Sequence, residues 1–99
     1  MKKSLADYIK PVFKILQSLP KGTTITYKEL AQKCHVPTPR NIGWILQKNT
    51  DPNRIPCYKV IRSDGSLAKG YKFGGQTEQK KRLVAEGVRF DVNGKIQLQ

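Results

Sequence analysis

One stretch of this sequence combines a nucleophile with a stiff backbone and nearby positive charge: Pro56-Cys57-Tyr58-Lys59-Val60. Proline fixes its own φ and so limits how the following thiol is presented. A neighbouring cation favours the thiolate, which is the form that attacks. Alone, the pattern also fits a plainer role, a small buried hydrophobe in a strand-like run. The second cysteine, Cys34, ends a short helical pattern and is expected to pack. His35, the one histidine, sits in a connector, where solvent or a phosphate would meet it. Two Cys and one His without finger-like spacing do not suit structural zinc, so no metal is expected.

Nineteen Lys and Arg against seven Asp and Glu give a formal charge of +12 on 99 residues. A polyanion is the partner such a surplus suits. The cations are spread along the chain in company with Tyr and Phe, which favours nucleic acid over a membrane-surface helix with one basic face. A basic surface kept for solubility is the plainer alternative. The hydrophobic fraction of 37% lies in short periodic runs, so no membrane span is expected. Asp7, Lys10 and Lys14 interrupt the apolar positions after Met1-Lys2-Lys3, which does not suit a signal peptide. Two cysteines fit a reducing interior, and the expected location is cytoplasmic. The length suits one domain over residues 1–99.

Holding one thiol in place requires rigid elements around it, and apolar periodicity predicts them. Leu5, Tyr8, Ile9, Val12, Phe13, Leu16 and Leu19 recur at three- and four-residue steps, a helix over roughly Asp7 to Leu19. Ser4 or Asp7 can cap it, Pro11 then falls in or just past the first turn, and Pro20-Lys21-Gly22 ends it. Thr26-Tyr27-Lys28-Glu29 fits a capping box, with a short helix to about Cys34. Thr38 caps and Pro39 opens the next helix, through Ile42, Trp44, Ile45 and Leu46 to about Lys48. Two short helices with a tight connector suggest a helix-turn-helix.

Beyond Asn49, the segment Thr50-Asp51-Pro52-Asn53 is loop chemistry, and Ile55 to Ile61 is a β-branched run expected to be extended. Ser63-Asp64-Gly65 makes a turn, and Lys69 to Gly75 is a glycine-punctuated basic and aromatic loop. Thr77 to Glu86 predicts a helix with Gly87 in the C-terminal capping position. Val88, Phe90 and Val92 alternate before Asn93-Gly94, as do Ile96 and Leu98 after it, a hairpin with a two-residue turn. The expected class is mainly α with short β.

Taken together, Thr24-Ile25-Thr26-Tyr27, Pro39-Arg40-Asn41-Ile42-Gly43, Asn49, Ile55-Pro56-Cys57-Tyr58-Lys59-Val60-Ile61, Gly70-Tyr71 with Gly74-Gly75, and Ala85-Glu86-Gly87 form a series. In order and approximate spacing this series resembles the C-terminal domain of the O6-alkylguanine-DNA alkyltransferases. The resemblance covers nearly the whole chain and is most specific around Cys57. It implies a winged helix-turn-helix-like domain, without the N-terminal domain that many members carry.

The activity so implied is irreversible and needs no cofactor: a guanine is flipped out of duplex DNA bound through its minor groove, and Cys57 takes the alkyl group from its O6. Chemistry on a base requires leaving the stack. By the same resemblance Arg40 fills the gap left by the flipped base, with Asn41, Gly43 and Lys59 beside it on the DNA, and Tyr27 crowds the phosphate next to the target. Asn49 supports the active-site segment, and Glu86 ends a hydrogen-bonded chain leading to the thiol. Val60 offers its carbonyl to the guanine, and Tyr71, Lys72 or Phe73 meets the base. A monomer is implied, with other repair proteins as further partners.

One departure stands at the centre. Where the family usually has histidine after the cysteine, this chain has Tyr58. A phenol of pKa about 10 is a poor base at neutral pH, whereas imidazole near 6.5 suits the task. A free thiol is still a few per cent ionised at pH 7, so slower transfer is expected rather than none. Two other readings compete. One is the non-catalytic alkyltransferase-like proteins, which bind and flag the lesion and in which the cysteine is commonly replaced by tryptophan. The other is a winged-helix regulator reading the major groove with Thr38 to Lys48 and an inert Cys57.

Overall fold

The computed structural model describes residues 3–97. Its helices are α1 (Ile9–Ser18), α2 (Tyr27–Cys34), α3 (Pro39–Leu46) and α4 (Gly75–Ala85), and its strands β1 (Ile25–Thr26) and β2 (Val60–Ile61). Short 3-10 turns cover Leu5–Tyr8 and Cys57–Lys59. The chain is therefore mainly helical with a short β pair, and α2 and α3 form a helix-turn-helix.

Local chemistry explains the helix boundaries. Thr26 Oγ1 accepts from the Glu29 N–H at 3.0 Å, and Glu29 Oε1 accepts from the Thr26 N–H at 3.1 Å, which closes the capping box. His35 then turns left-handed at φ 57°, and the Val36 N–H returns to the Ala31 carbonyl at 2.8 Å, closing the helix end. Thr38 caps α3 by accepting from the Asn41 N–H at 3.4 Å, with Pro39 at the first helical position. At the N-terminus the Ser4 N–H donates to Asp7 Oδ2 at 2.9 Å, but the first turn is 3-10 and the α-helix begins only at Ile9. Pro11 accordingly lies in its first turn.

The apolar faces meet in one main core, where Val12, Leu16, Leu30, Ile42 and Ile45 are fully buried between α1, α2 and α3. Burying each side chain of this size contributes about 1.5–3 kcal/mol. A smaller cluster of Ile61, Leu67, Leu83 and Ile96 lies under α4 and the C-terminal turn. The strands that join the two halves pair in parallel, with Ile25 opposite Val60 and Thr26 opposite Ile61.

Three expectations need correction. The run from Ile55 to Ile61 is not extended throughout. It makes a 3-10 turn over Cys57–Lys59, in which the Lys59 N–H donates to the Pro56 carbonyl at 3.1 Å, and only Val60–Ile61 pairs as strand. The terminal hairpin has one bridge, Phe90 to Ile96, and Leu98 lies outside the described residues. Its turn is longer than two residues: the Asp91 N–H donates to the Lys95 carbonyl at 2.7 Å, spanning Val92-Asn93-Gly94 with Gly94 at φ 78°.

Lys59, expected on the DNA, is the third. It is 4% exposed, and its Nζ donates to the carbonyls of Leu19 at 3.1 Å and Pro20 at 2.9 Å. It also pairs with Glu86 Oε1 at 3.4 Å. A cation just beyond the end of α1 bonds the carbonyls of the turn that closes it and opposes the helix dipole. Lys59→Met should therefore destabilise the fold by about 3 kcal/mol in urea denaturation, since it leaves buried polar groups unpaired. The slope of DNA affinity against salt should stay unchanged, because no phosphate contact is lost. A reduced slope with unaltered stability would contradict this placement.

Candidate active site

Cys57 is held by its neighbours on both sides. Pro56, at φ −78° and ψ 70°, is the centre of an inverse γ-turn in which the Cys57 N–H donates to the Ile55 carbonyl at 2.8 Å. The proline ring pre-sets that φ. Asn49, just beyond α3 and fully buried, spends its amide on the same segment. Its Nδ2 donates to the Ile55 carbonyl at 2.8 Å and to Cys57 Sγ at 3.3 Å, and its Oδ1 accepts from the Asp51 N–H at 2.9 Å. A donor on sulfur favours the thiolate.

The thiol is 5% exposed and lines a cavity of about 400 Å³ together with Tyr27, Arg40, Val60, Tyr71 and Gln79. That volume is in the usual range for small-ligand sites. The cavity adjoins a more open groove that Tyr27, Arg40 and Gly43 share with Arg62 and Lys69. Arg40 is exposed where the two meet. A Cβ at Gly43 would touch nothing within 4 Å, so its absence keeps the face of α3 open without being needed for packing. Asn41 is half-buried, engaged through its backbone by Thr38, and is not part of the cavity wall.

The glycine loop closes the opposite wall. Gly74, at φ 118°, begins α4 at a point where a Cβ would come within 2.7 Å of the Glu78 side chain. Of the three residues expected to meet a base, Tyr71 and Lys72 line the cavity and Phe73 packs behind, edge-on to Tyr71 at 5.9 Å between ring centres. The Lys72 ammonium is committed elsewhere, donating to the carbonyls of Gln47 at 2.9 Å and Asn49 at 2.8 Å. It fastens the loop to the end of α3. Gln79 was not anticipated from sequence: a glutamine in a polar helix carries no signal beyond its four-residue spacing from Leu83.

Tyr58 turns away from the thiol. Its hydroxyl donates to Glu86 Oε2, and among the described residues no hydrogen bond joins it to Cys57. Glu86 is also fixed by the Gly22 N–H at 2.8 Å and by Lys59. Burial raises the Glu86 carboxyl, but the Gly22, Tyr58 and Lys59 donors outweigh it and hold the group below its ordinary range. Burial first, then the Glu86 partner, pushes Tyr58 up to about 12. Tyr71 also rises to about 12, through burial and then the negative charge Cys57 would carry. Burial lifts Cys57 itself, against the Asn49 donor and the charges of Arg82 and Lys72. The phenols are thus donors, and the thiol ionises less readily than a free one.

Residues 7–88 match the family described as 6-O-methylguanine DNA methyltransferase, DNA binding domain. A methylated-DNA--protein-cysteine methyltransferase of Methanothermobacter thermautotrophicus is 40% identical over 85 residues, covering 86% of this chain and 47% of that protein. The chain thus spans about half the length of that relative. A DNA base-flipping protein of Vibrio parahaemolyticus is 30% identical over 93 residues, covering 93% of this chain and 91% of that protein. Among solved structures, S. pombe Atl1 in complex with damaged DNA containing O6-carboxymethylguanine superposes with a TM-score of 0.79 at 26% identity, covering 100% of this chain and 93% of that one.

The raised thiol sets a pH profile. Labelling of Cys57 by iodoacetamide, followed on its peptide by mass spectrometry, should accelerate about tenfold per pH unit from 7 to 9, because only the thiolate reacts. A plateau reached below pH 8 would contradict the assigned direction.

Proposed function

Since this chain belongs to the 6-O-methylguanine DNA methyltransferase family through that family's DNA-binding domain, we propose that it binds duplex DNA, receives a flipped O6-alkylguanine in the cavity beside Cys57, and takes the alkyl group onto Sγ. The observation that carries this reading is a buried, amide-bonded thiol lining a base-sized cavity that opens beside the exposed Arg40 of α3. The Cys57 thiolate attacks the alkyl carbon, the S–C bond forms as the C–O6 bond breaks, and the electron pair goes to the base. The proton lost by the thiol ends on the dealkylated guanine, which stays in its strand, so the step needs no cofactor.

The binding half of this proposal rests on charge and shape. A net +12 attracts the backbone, and α3 is the second helix of the helix-turn-helix, with Arg40 at its first turn and Gly43 leaving its face clear. Arg40 fills the space vacated by the base, and entry is through the minor groove. Tyr27, half-buried at the junction of cavity and groove, bears on the adjoining phosphate. The protein acts as a monomer in a reducing compartment.

A second reading has its own support. Tyr58 stands where a base is expected, its hydroxyl is engaged by Glu86, and burial holds Cys57 protonated. A chain so equipped binds and flips the lesion while transferring slowly or not at all. Both readings share the flipping step and differ only in the fate of the sulfur.

With a duplex oligonucleotide containing O6-methylguanine, the peptide holding Cys57 should gain one methyl group, and Tyr58→His should raise the single-turnover rate about tenfold or more by restoring a base near neutrality. Lesion binding with no gain of mass in either protein would leave only the second reading. Arg40→Ala should slow transfer from duplex DNA by about tenfold or more while leaving reaction with free O6-benzylguanine nearly unchanged. Equal losses on both substrates would contradict the role given to Arg40.

A further inference from the structure

We propose that Trp44 is a second DNA contact on α3: its indole packs against the sugars and base edges of the minor groove, and Lys48 moves from the ring to a neighbouring phosphate. This rests on the reading that α3 lies on duplex DNA, and goes beyond it by assigning a contact made to any duplex, damaged or not. Arg40, Gly43 and Trp44 are spaced by three and four residues, so they share one face of α3. Ile42, Ile45 and Leu46 are buried on the other. Trp44, the chain's single tryptophan, is 41% exposed, although it is a large apolar ring that burial would favour. Gly43 beside it has no side chain, and a Cβ there would meet nothing within 4 Å, which leaves room next to the ring.

What covers the ring follows from the charges around it. From Leu30 to Thr50 the chain has no carboxylate side chain, while Lys33, Arg40 and Lys48 fall in that stretch. Lys48 Nζ lies 4.6 Å from the centre of the Trp44 ring, and Arg62 and Lys69 line the groove that Arg40 and Gly43 share. An apolar ring framed by cations fits a polyanion with apolar surface between its charges. Duplex DNA has that make-up, with phosphates outside and sugars and base edges within the groove. A second copy of this chain would bring its own cations against these. A cation over an exposed ring gains little, so a phosphate can draw Lys48 away at small cost. Trp44 stands one turn after Arg40 and needs no opened base pair to make its contact, so it supplies affinity before a base has left the stack.

Acrylamide quenching of the single tryptophan reads the contact directly in the full chain, with binding followed separately by the anisotropy of a dye-labelled duplex. Saturation with unmodified duplex should reduce the quenching severalfold. Trp44→Ala should weaken binding of unmodified duplex and of duplex carrying O6-methylguanine by the same factor, about tenfold, the order expected for burying the exposed part of an indole. The slope of log affinity against log salt should be unchanged in Trp44→Ala and shallower by about 1 in Lys48→Met, because only the lysine contact displaces a counterion. Trp44→Phe, which keeps an aromatic ring, should retain most of the affinity. A ring still open to acrylamide in the saturated complex overturns the proposal, as does a loss in Trp44→Ala confined to the lesion duplex, which would make the ring part of the base cavity alone. Protection that grows with protein concentration in the absence of DNA overturns it in favour of a second copy. Failure of the wild type to bind either duplex would instead overturn the DNA-binding reading on which it rests.

Discussion

The site depends on one buried amide. Asn49 bonds the Ile55 carbonyl and the Cys57 sulfur through one nitrogen, and the backbone of Asp51 through its oxygen. It thereby ties the end of α3 to the segment that presents the thiol. Because Asn49 is fully buried, these bonds face no competition from water, and losing any of them strands a polar group. Lys72 reinforces the same corner from the glycine loop by bonding the carbonyls of Gln47 and Asn49. Helix, thiol and cavity wall are consequently one unit, so that on the proposed reading DNA bound on α3 would be held in a fixed relation to the sulfur.

A second polar knot sets the chemistry. Glu86 gathers Tyr58, Lys59 and the Gly22 N–H, fastening α4 to the turn after α1. A histidine beside the cysteine could have carried protons between this carboxylate and the thiol. A tyrosine with its pKa near 12 serves the knot as a donor and carries no proton away at neutral pH. The fold's strength and the thiol's reactivity are therefore set by different partners: Glu86 braces the scaffold, while Asn49 and the nearby cations act on sulfur against the cost of burial. On the proposed reading, slow transfer at a firmly organised site is the physical consequence.

How far the sequence could be read depended on how local the deciding interaction was. The Thr26–Glu29 capping box, the Thr38 cap and Pro39 lie within one turn, and the structure forms them as the sequence indicated. The C-terminal turn was misjudged because a distant contact bears on it: the Ile96 N–H bonds the Gly65 carbonyl. The resemblance placed Lys59 on the DNA, and the sequence could not show otherwise, since the Leu19 and Pro20 carbonyls that take it lie far away in the chain. The Cys57 segment was conspicuous through its proline, but its β-branched residues pointed to a strand and concealed the 3-10 turn. Gln79 had no marker, because bonding the distant carbonyls of Tyr58 and Val60 is a property of the assembled fold.

On the proposed function, an alkylated guanine leaves the duplex and enters the cavity lined by Cys57, Tyr71 and Gln79. A crystal structure of Cys57→Ala bound to a duplex carrying O6-methylguanine tests this most directly. The lesion base should lie in that cavity with its methyl carbon in van der Waals contact with residue 57, and Arg40 should occupy the space left in the stack. A lesion base still stacked within the duplex, with α3 bound elsewhere on the DNA, would contradict it.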